Sequence, residues 1–163
     1  MCNLKIASYN STGFGNINSK VCSNIYIDNV ANKCDILLLQ EHWLLEQQLN
    51  KVVNLLDGFL GTAVSGVEDK SHILKGRPYG GCVILWESEL TLCIEPCQYK
   101  SMSRRICGYI VKANEGNVLG LSVSITTDNR SGEIVSSDFE LVLHDIEYFI
   151  LNSDCTYYWW RFK

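Results

Sequence analysis

Asp35-Ile36-Leu37-Leu38-Leu39-Gln40-Glu41-His42-Trp43 is the stretch on which the reading of this chain turns. Its apolar run has polar ends and no solvent face, so it reads as a strand buried on both sides. Upstream, Leu4 to Tyr9 reads as a strand that ends in the loop signal Asn10-Ser11-Thr12-Gly13. Between the two, Val21, Ile25, Val30 and Ala31 form a helical stripe over 19–32. Downstream, Leu45, Leu49, Val52, Val53 and Leu56 mark a second helix that stops at Asp57-Gly58.

Further out, Phe59 to Val67 is a strand, and Glu68 to Tyr79 is a polar loop carrying Lys70, His72, Lys75 and Arg77. Cys82 to Trp86 and Leu90 to Glu95 are strands across a short turn. Arg105 to Ala113 and Val118 to Ser124 form a hairpin around Asn114-Glu115-Gly116-Asn117. Ser137-Asp138-Phe139-Glu140 has capping-box spacing. Phe139, Val142, Leu143, Ile146, Phe149 and Ile150 then follow at helical spacing, and Cys155 to Trp160 is a final strand. Strand-helix-strand-helix, several strands, then helix-strand predicts a layered α/β or α+β domain with a mixed sheet.

A length of 163 residues corresponds to one domain. Fourteen Lys plus Arg against eighteen Asp plus Glu leave −4, which excludes a histone-like basic binder. The eight cysteines have no Cys-x-x-Cys pair, and several lie in apolar strand runs, so they read as reduced, mostly buried thiols of an intracellular protein without a zinc site. No apolar run approaches the roughly 18 residues of a membrane span.

Three stretches with chemical potential sit at strand ends: Ile6-Ala7-Ser8-Tyr9-Asn10, the Gln40-Glu41-His42-Trp43 segment, and Gly76-Arg77-Pro78-Tyr79-Gly80-Gly81 leading into Cys82. Ligand crevices of layered α/β folds open at such ends. A carboxylate there with a nearby amide can hold a hard divalent cation through oxygen. Singly, each has an ordinary structural reading: Glu41 a solvated end residue, Asn10 a turn former, His42 a structural histidine, the basic loop a solvated face.

Their order and spacing together resemble the endonuclease/exonuclease/phosphatase superfamily, and within it the apurinic-type endonuclease domain of LINE-type (non-LTR) retrotransposons. The resemblance rests on Ser8-Tyr9-Asn10, on Asp35 to Leu44, and on Gly76-Arg77-Pro78-Tyr79-Gly80-Gly81 continuing to Trp86. Ser103 to Gly108 resembles the next family strand, and Thr127-Asp128-Asn129-Arg130 with the Phe139 helix the segment after it. The similarity spans nearly the whole chain.

What the resemblance implies is a four-layered sandwich, two mixed β-sheets flanked by helices, of which residues 1–163 are the N-terminal part of a single domain. It implies phosphodiester hydrolysis with Mg²⁺, or Mn²⁺, on target-site duplex DNA, in the nucleus if the chain is functional; no membrane partner is expected. By carry-over, Glu41 and Asn10 are the catalytic and metal-site residues. Arg77, Tyr79, Ser124 and Asp128 then face the substrate.

Two departures stand out. Ser124 and Thr126 occupy the places of the family's Tyr-x-Pro; the serine keeps a hydroxyl but reaches less far, so a phosphate contact is expected to be lost. No Gly-Asp-x-Asn or Ser-Asp-His follows the last helix; the chain reads Tyr157-Tyr158-Trp159-Trp160-Arg161 instead. With suitable codons, a shift of one base turns this tail into Ile-Ile-Gly-Gly-Asp, the expected family residues, so a frame slip or a misplaced splice boundary just before Tyr157 is expected. The fold is expected to be incomplete at its C-terminus, with exposed strand edges prone to association. The chain is then an impaired endonuclease. A non-catalytic binding remnant using Lys70, Lys75, Arg77, Arg104, Arg105 and Arg130, or a phosphatase of the same superfamily, are the other readings.

Overall fold

The computed structural model describes residues 4–11, 13–14, 23–67, 80–125 and 132–161. Among these residues eight strands and three helices follow in the order β1 (Ile6–Asn10), α1 (Ser23–Ala31), β2 (Ile36–Gln40), α2 (Leu49–Val53), β3 (Phe59–Val64), β4 (Cys82–Glu87), β5 (Ile94–Pro96), β6 (Ile106–Val111), β7 (Val118–Val123), α3 (Gly132–Asn152) and β8 (Tyr157–Arg161). They make two four-stranded sheets, ordered β1-β2-β4-β3 and β5-β6-β7-β8. Both are mixed: β1–β2 and β7–β8 are parallel and the other pairs antiparallel.

The apolar run at 36–39 explains the layering. Successive strand residues point to opposite faces. Leu37 and Leu39 therefore pack with Ile27, Ala31, Val52, Val83 and Leu85 in a core between the first sheet and helices α1 and α2. Ile36 and Leu38 pack with Ile84, Trp86, Ile94, Cys107 and Tyr109 in a core between the two sheets. A third core joins Ile106, Leu119, Leu121 and Val123 to Val142, Ile146 and Phe149 of α3. Three cores separate four layers, the sandwich that the resemblance implied.

The face that α3 turns inward also carries Asp145, which is fully buried. Its carboxylate accepts from Tyr99 Oη (3.2 Å), Ser101 Oγ (2.7 Å), Met102 N (3.0 Å) and Ser103 N (2.8 Å). Burial opposes its charge. The Ser103 and Ser101 side chains and the Ser103 and Met102 N–H groups outweigh that and hold its pKa below the usual aspartate value. One side chain thus fastens segment 99–103 to the helix.

Several sequence-based boundaries change. Leu90 to Glu95 is not one strand: a 3-10 turn occupies Ser88–Leu92 and only Ile94–Pro96 pairs. Thr91 Oγ1 donates to Ser88 O (2.6 Å) and Cys93 N to Leu90 O (2.8 Å), so local bonds win, and Leu92 is 91% exposed. The 45–56 helix shrinks to a 3-10 turn at Glu46–Gln48 and the short α2. Gln48 Oε1 takes the Leu45 N–H (3.1 Å) at its start, and Asn54 Nδ2 donates to Asn50 O (2.8 Å) at its end.

Strand β3 stops at Val64 because the Ser65 hydroxyl donates to Leu44 O (2.8 Å) and accepts the Val67 N–H (3.2 Å). Helix α3 begins at Gly132, so Ser137 is inside it; Glu133-Ile134-Val135-Ser136 contains no breaker, and capping-box spacing marks a start only where the chain before it leaves the helix. The last strand begins at Tyr157, with Thr156 N donating to Asn117 O (3.0 Å) just before it.

The six described cysteines are free. Burial pushes the Cys97 and Cys107 thiols up to about 12. No described helix is long and apolar enough to cross a membrane.

Candidate active site at the Glu41 strand end

Strands β1, β2 and β4 end or begin at one rim of the first sheet. The register pairs Asn10 with Gln40 and Gln40 with Cys82. Past Gln40 the chain stays between two neighbours. Glu41 N donates to Gly81 O (2.9 Å) and Trp43 N to Gly80 O (3.1 Å) on one side. Gly13 N donates to Glu41 O (2.6 Å) and Phe14 N to His42 O (3.2 Å) on the other. Within this frame Glu41 (φ 59°) and Trp43 (φ 58°) adopt left-handed backbone, a conformation that persists only where surroundings enforce it.

Two glycines make the frame possible. A Cβ on Gly81 (φ 89°) would overlap the imidazole of His42, and one on Gly13 (φ 89°) would overlap the indole of Trp43. His42 is fully buried, its ring against Gly81. Its Nδ1 accepts the Leu44 N–H (2.9 Å), which leaves the proton on Nε2, facing Val64 O (3.0 Å). Desolvation lowers its pKa, partly offset by Val64 O and Glu41, so it is a neutral structural wedge.

Left-handed geometry at 41 and 43 sends Glu41 and Trp43 to the same side. Trp43 Nε1 donates to Glu41 Oε2 (3.0 Å), as does Gly80 N (3.1 Å). Ser124 Oγ donates to Oε1. Ser124 comes from the second sheet, just beyond β7, where its N–H is bonded to Arg105 O (2.9 Å). Arg105 is 5% exposed, and a Cβ on Gly80 would lie 2.9 Å from its Nη1, so the guanidinium backs the turn that donates to Glu41.

One residue earlier, buried Gln40 bridges the sheets. Its Nε2 donates to Ser122 Oγ (3.0 Å) and its Oε1 accepts from Ser8 Oγ (3.2 Å). Two hydrogen-bonded residues, Gln40 and Glu41, thus lock the rim of one sheet to the other.

Of the residues expected from the sequence, Glu41 and Ser124 are in direct contact. Asn10 is half-buried at the end of β1, in register with Gln40. Arg77, Tyr79 and Asp128 lie outside the described residues, as do Lys70, Lys75 and Arg130. Trp43, Gly80 and Arg105 are structural members of the site that sequence reasoning did not assign to it. The available signal was a tryptophan two residues after the glutamate.

The donor set suits a hard cation. Among the described residues it offers a carboxylate and hydroxyl in contact and an amide residue on the next strand, without a thiol or free imidazole. No cluster of three or more His, Cys, Asp or Glu able to hold a metal occurs among the described residues. A carboxylate, a hydroxyl and an amide are oxygen donors of the kind a hard divalent cation takes. A cavity of about 490 Å³ lies elsewhere, between β3, the 97–104 segment and the start of β6, lined by Thr62, Val64, Tyr99, Lys100, Arg104 and Cys107.

Solved endonuclease structures share this two-sheet sandwich fold. The AP endonuclease LMAP from Leishmania major superposes with a TM-score of 0.65 at 13% identity, over 98% of this chain and 54% of that one. The catalytic domain of Xenopus laevis APE2 gives 0.58 at 15% identity, over 93% and 55%. The endonuclease domain of TRAS1, a telomere-specific non-LTR retrotransposon, gives 0.50 at 12%, over 89% and 53%. The chain spans about half the length of these solved structures. No protein-family model matches it, and no curated protein matches it.

Proposed function

We propose that the chain is the cation- and phosphate-binding portion of a metal-dependent phosphodiesterase. Its ancestral task was nicking target DNA in the nucleus for a LINE-type retrotransposon, and these 163 residues alone cleave weakly or not at all. The observation that supports the reading is the Glu41 carboxylate, fixed at a strand end by donors from both sheets in an AP-endonuclease-like fold.

Mg²⁺ or Mn²⁺ bound there would neutralise charge building on a phosphate and its leaving oxygen. Glu41 would hold the cation, and Asn10 at the adjoining strand end would orient the phosphate. Arg77, Tyr79 and Asp128 would contact the DNA, as the resemblance implies. Proton transfer at the nucleophile has no assigned group, because the chain contains neither Gly-Asp-x-Asn nor Ser-Asp-His. That is the ground for impaired catalysis.

Two measurements test this. Mn²⁺ binding by calorimetry is expected for the full chain and not for Glu41→Ala; equal binding by both would sink the Glu41 assignment. Supercoiled plasmid with Mg²⁺ is expected to stay largely intact. Robust nicking that Glu41→Ala abolishes would overturn the impaired reading while keeping the site.

A further inference from the structure

We infer that Ser124 and Trp43 are positioning residues that hold the Glu41 carboxylate in one orientation, with Oε1 as the oxygen that meets the cation. This rests on the function proposed above. A carboxylate offers about four lone-pair sites. Oε2 spends two of them on the Trp43 indole N–H and the Gly80 N–H. Oε1 spends one, on the Ser124 hydroxyl, so among the described residues the remaining site is on Oε1.

The two sets of donors differ in kind. The indole and backbone N–H groups cannot reverse and belong to parts of the frame fixed by Gly13, Gly80 and Gly81. They anchor Oε2. The Ser124 hydroxyl can rotate about its Cβ–Oγ bond, and its own lone pairs stand beside Oε1. Ser124 is 1% exposed, so its Oγ is confined to that place. The residue that stands where the resemblance expects a tyrosine at the phosphate is therefore tied to the carboxylate in this chain. Its chemical role passes from substrate contact to alignment of the cation's ligand.

Outer-shell partners of a metal ligand commonly change affinity by about 10- to 100-fold when removed. In the full chain, Ser124→Ala is expected to weaken Mn²⁺ binding by about tenfold, at the low end of that range. Ser124→Thr, which keeps the hydroxyl, is expected to restore most of it. A second readout needs no metal. The indole N–H resonance of Trp43, identified by its loss in Trp43→Phe, is expected to shift in Glu41→Gln and in Ser124→Ala, while that of Trp86 stays.

Unchanged Mn²⁺ affinity together with an unmoved Trp43 resonance in Ser124→Ala would overturn the inference. If the unaltered chain bound no Mn²⁺, the functional reading would fail and the indole resonance would decide the positioning roles alone. A shift would support them and no shift would remove them.

Discussion

Glu41 and Asp145 are both buried or half-buried carboxylates ringed by donors, and the difference between them separates the proposed site from a staple. Asp145 receives four hydrogen bonds, two on each oxygen, and all four donors come from the continuous segment 99–103. Its lone pairs are filled and it binds one loop to one helix. Among the described residues Glu41 receives three, from β7's end, from the β4 approach and from its own strand extension, and has one lone pair left over. A saturated carboxylate stabilises the fold. An unsaturated one on a fixed frame keeps capacity for a ligand.

The two also differ in what enforces them, which gives the largest expected effect. The Glu41 end depends on backbone shape. Gly81→Ala places a Cβ at φ 89° against a His42 ring pinned by Leu44 N and Val64 O. Left-handed strain and overpacking each contribute one to a few kcal/mol, so the loss is expected to be about 3–4 kcal/mol. A urea midpoint within error of the unaltered chain would show that this frame yields easily.

The Asp145 end depends on polar saturation, and its loss is expected to be smaller. In Asp145→Asn, whichever way the amide turns, its NH₂ meets a backbone N–H, from Met102 or from Ser103. One buried donor is left unmatched, which costs about 2–3 kcal/mol. Because folding lowers the Asp145 pKa, its contribution is complete above the ordinary aspartate range, about 3.9. It disappears as pH falls through the lower folded value. Acid titration of the urea midpoint should therefore be shallower in Asp145→Asn below that range. An equally steep decline would assign the acid sensitivity to other groups.

The same contrast explains what could be read from the sequence. The run 36–39 announced its two-faced burial, and with it three of the four layers, because apolar character on successive residues has no other use in a strand of this length. Glu41 was legible because it directly follows that run. Asp145 was not singled out, although it lies on the face of Val142, Ile146 and Phe149 and so interrupts an apolar stripe. A charge there demands donors, but donors 42 to 46 residues away carry no local pattern. Leu90 and Leu92 misled in the opposite sense. Their alternation imitates a strand, while Ser88 and Thr91 turn the chain by short-range bonds that periodicity does not register.

The smallest expected effect on stability is the most discriminating. In Glu41→Gln the amide oxygen can take the Oε2 position and accept from Trp43 and Gly80, as the carboxylate does. The NH₂ then faces Ser124 Oγ, a hydroxyl that can turn from donor to acceptor. Every irreversible donor keeps a partner, so the stability change is expected to stay within about 1 kcal/mol, against two or three times that for Asp145→Asn. Mn²⁺ binding should nevertheless disappear, since the charge is gone and the position left for the cation now carries N–H. Equal destabilisation by the two amide substitutions would mean that Glu41 is held as tightly closed as Asp145. The distinction between staple and site would then fail at its root.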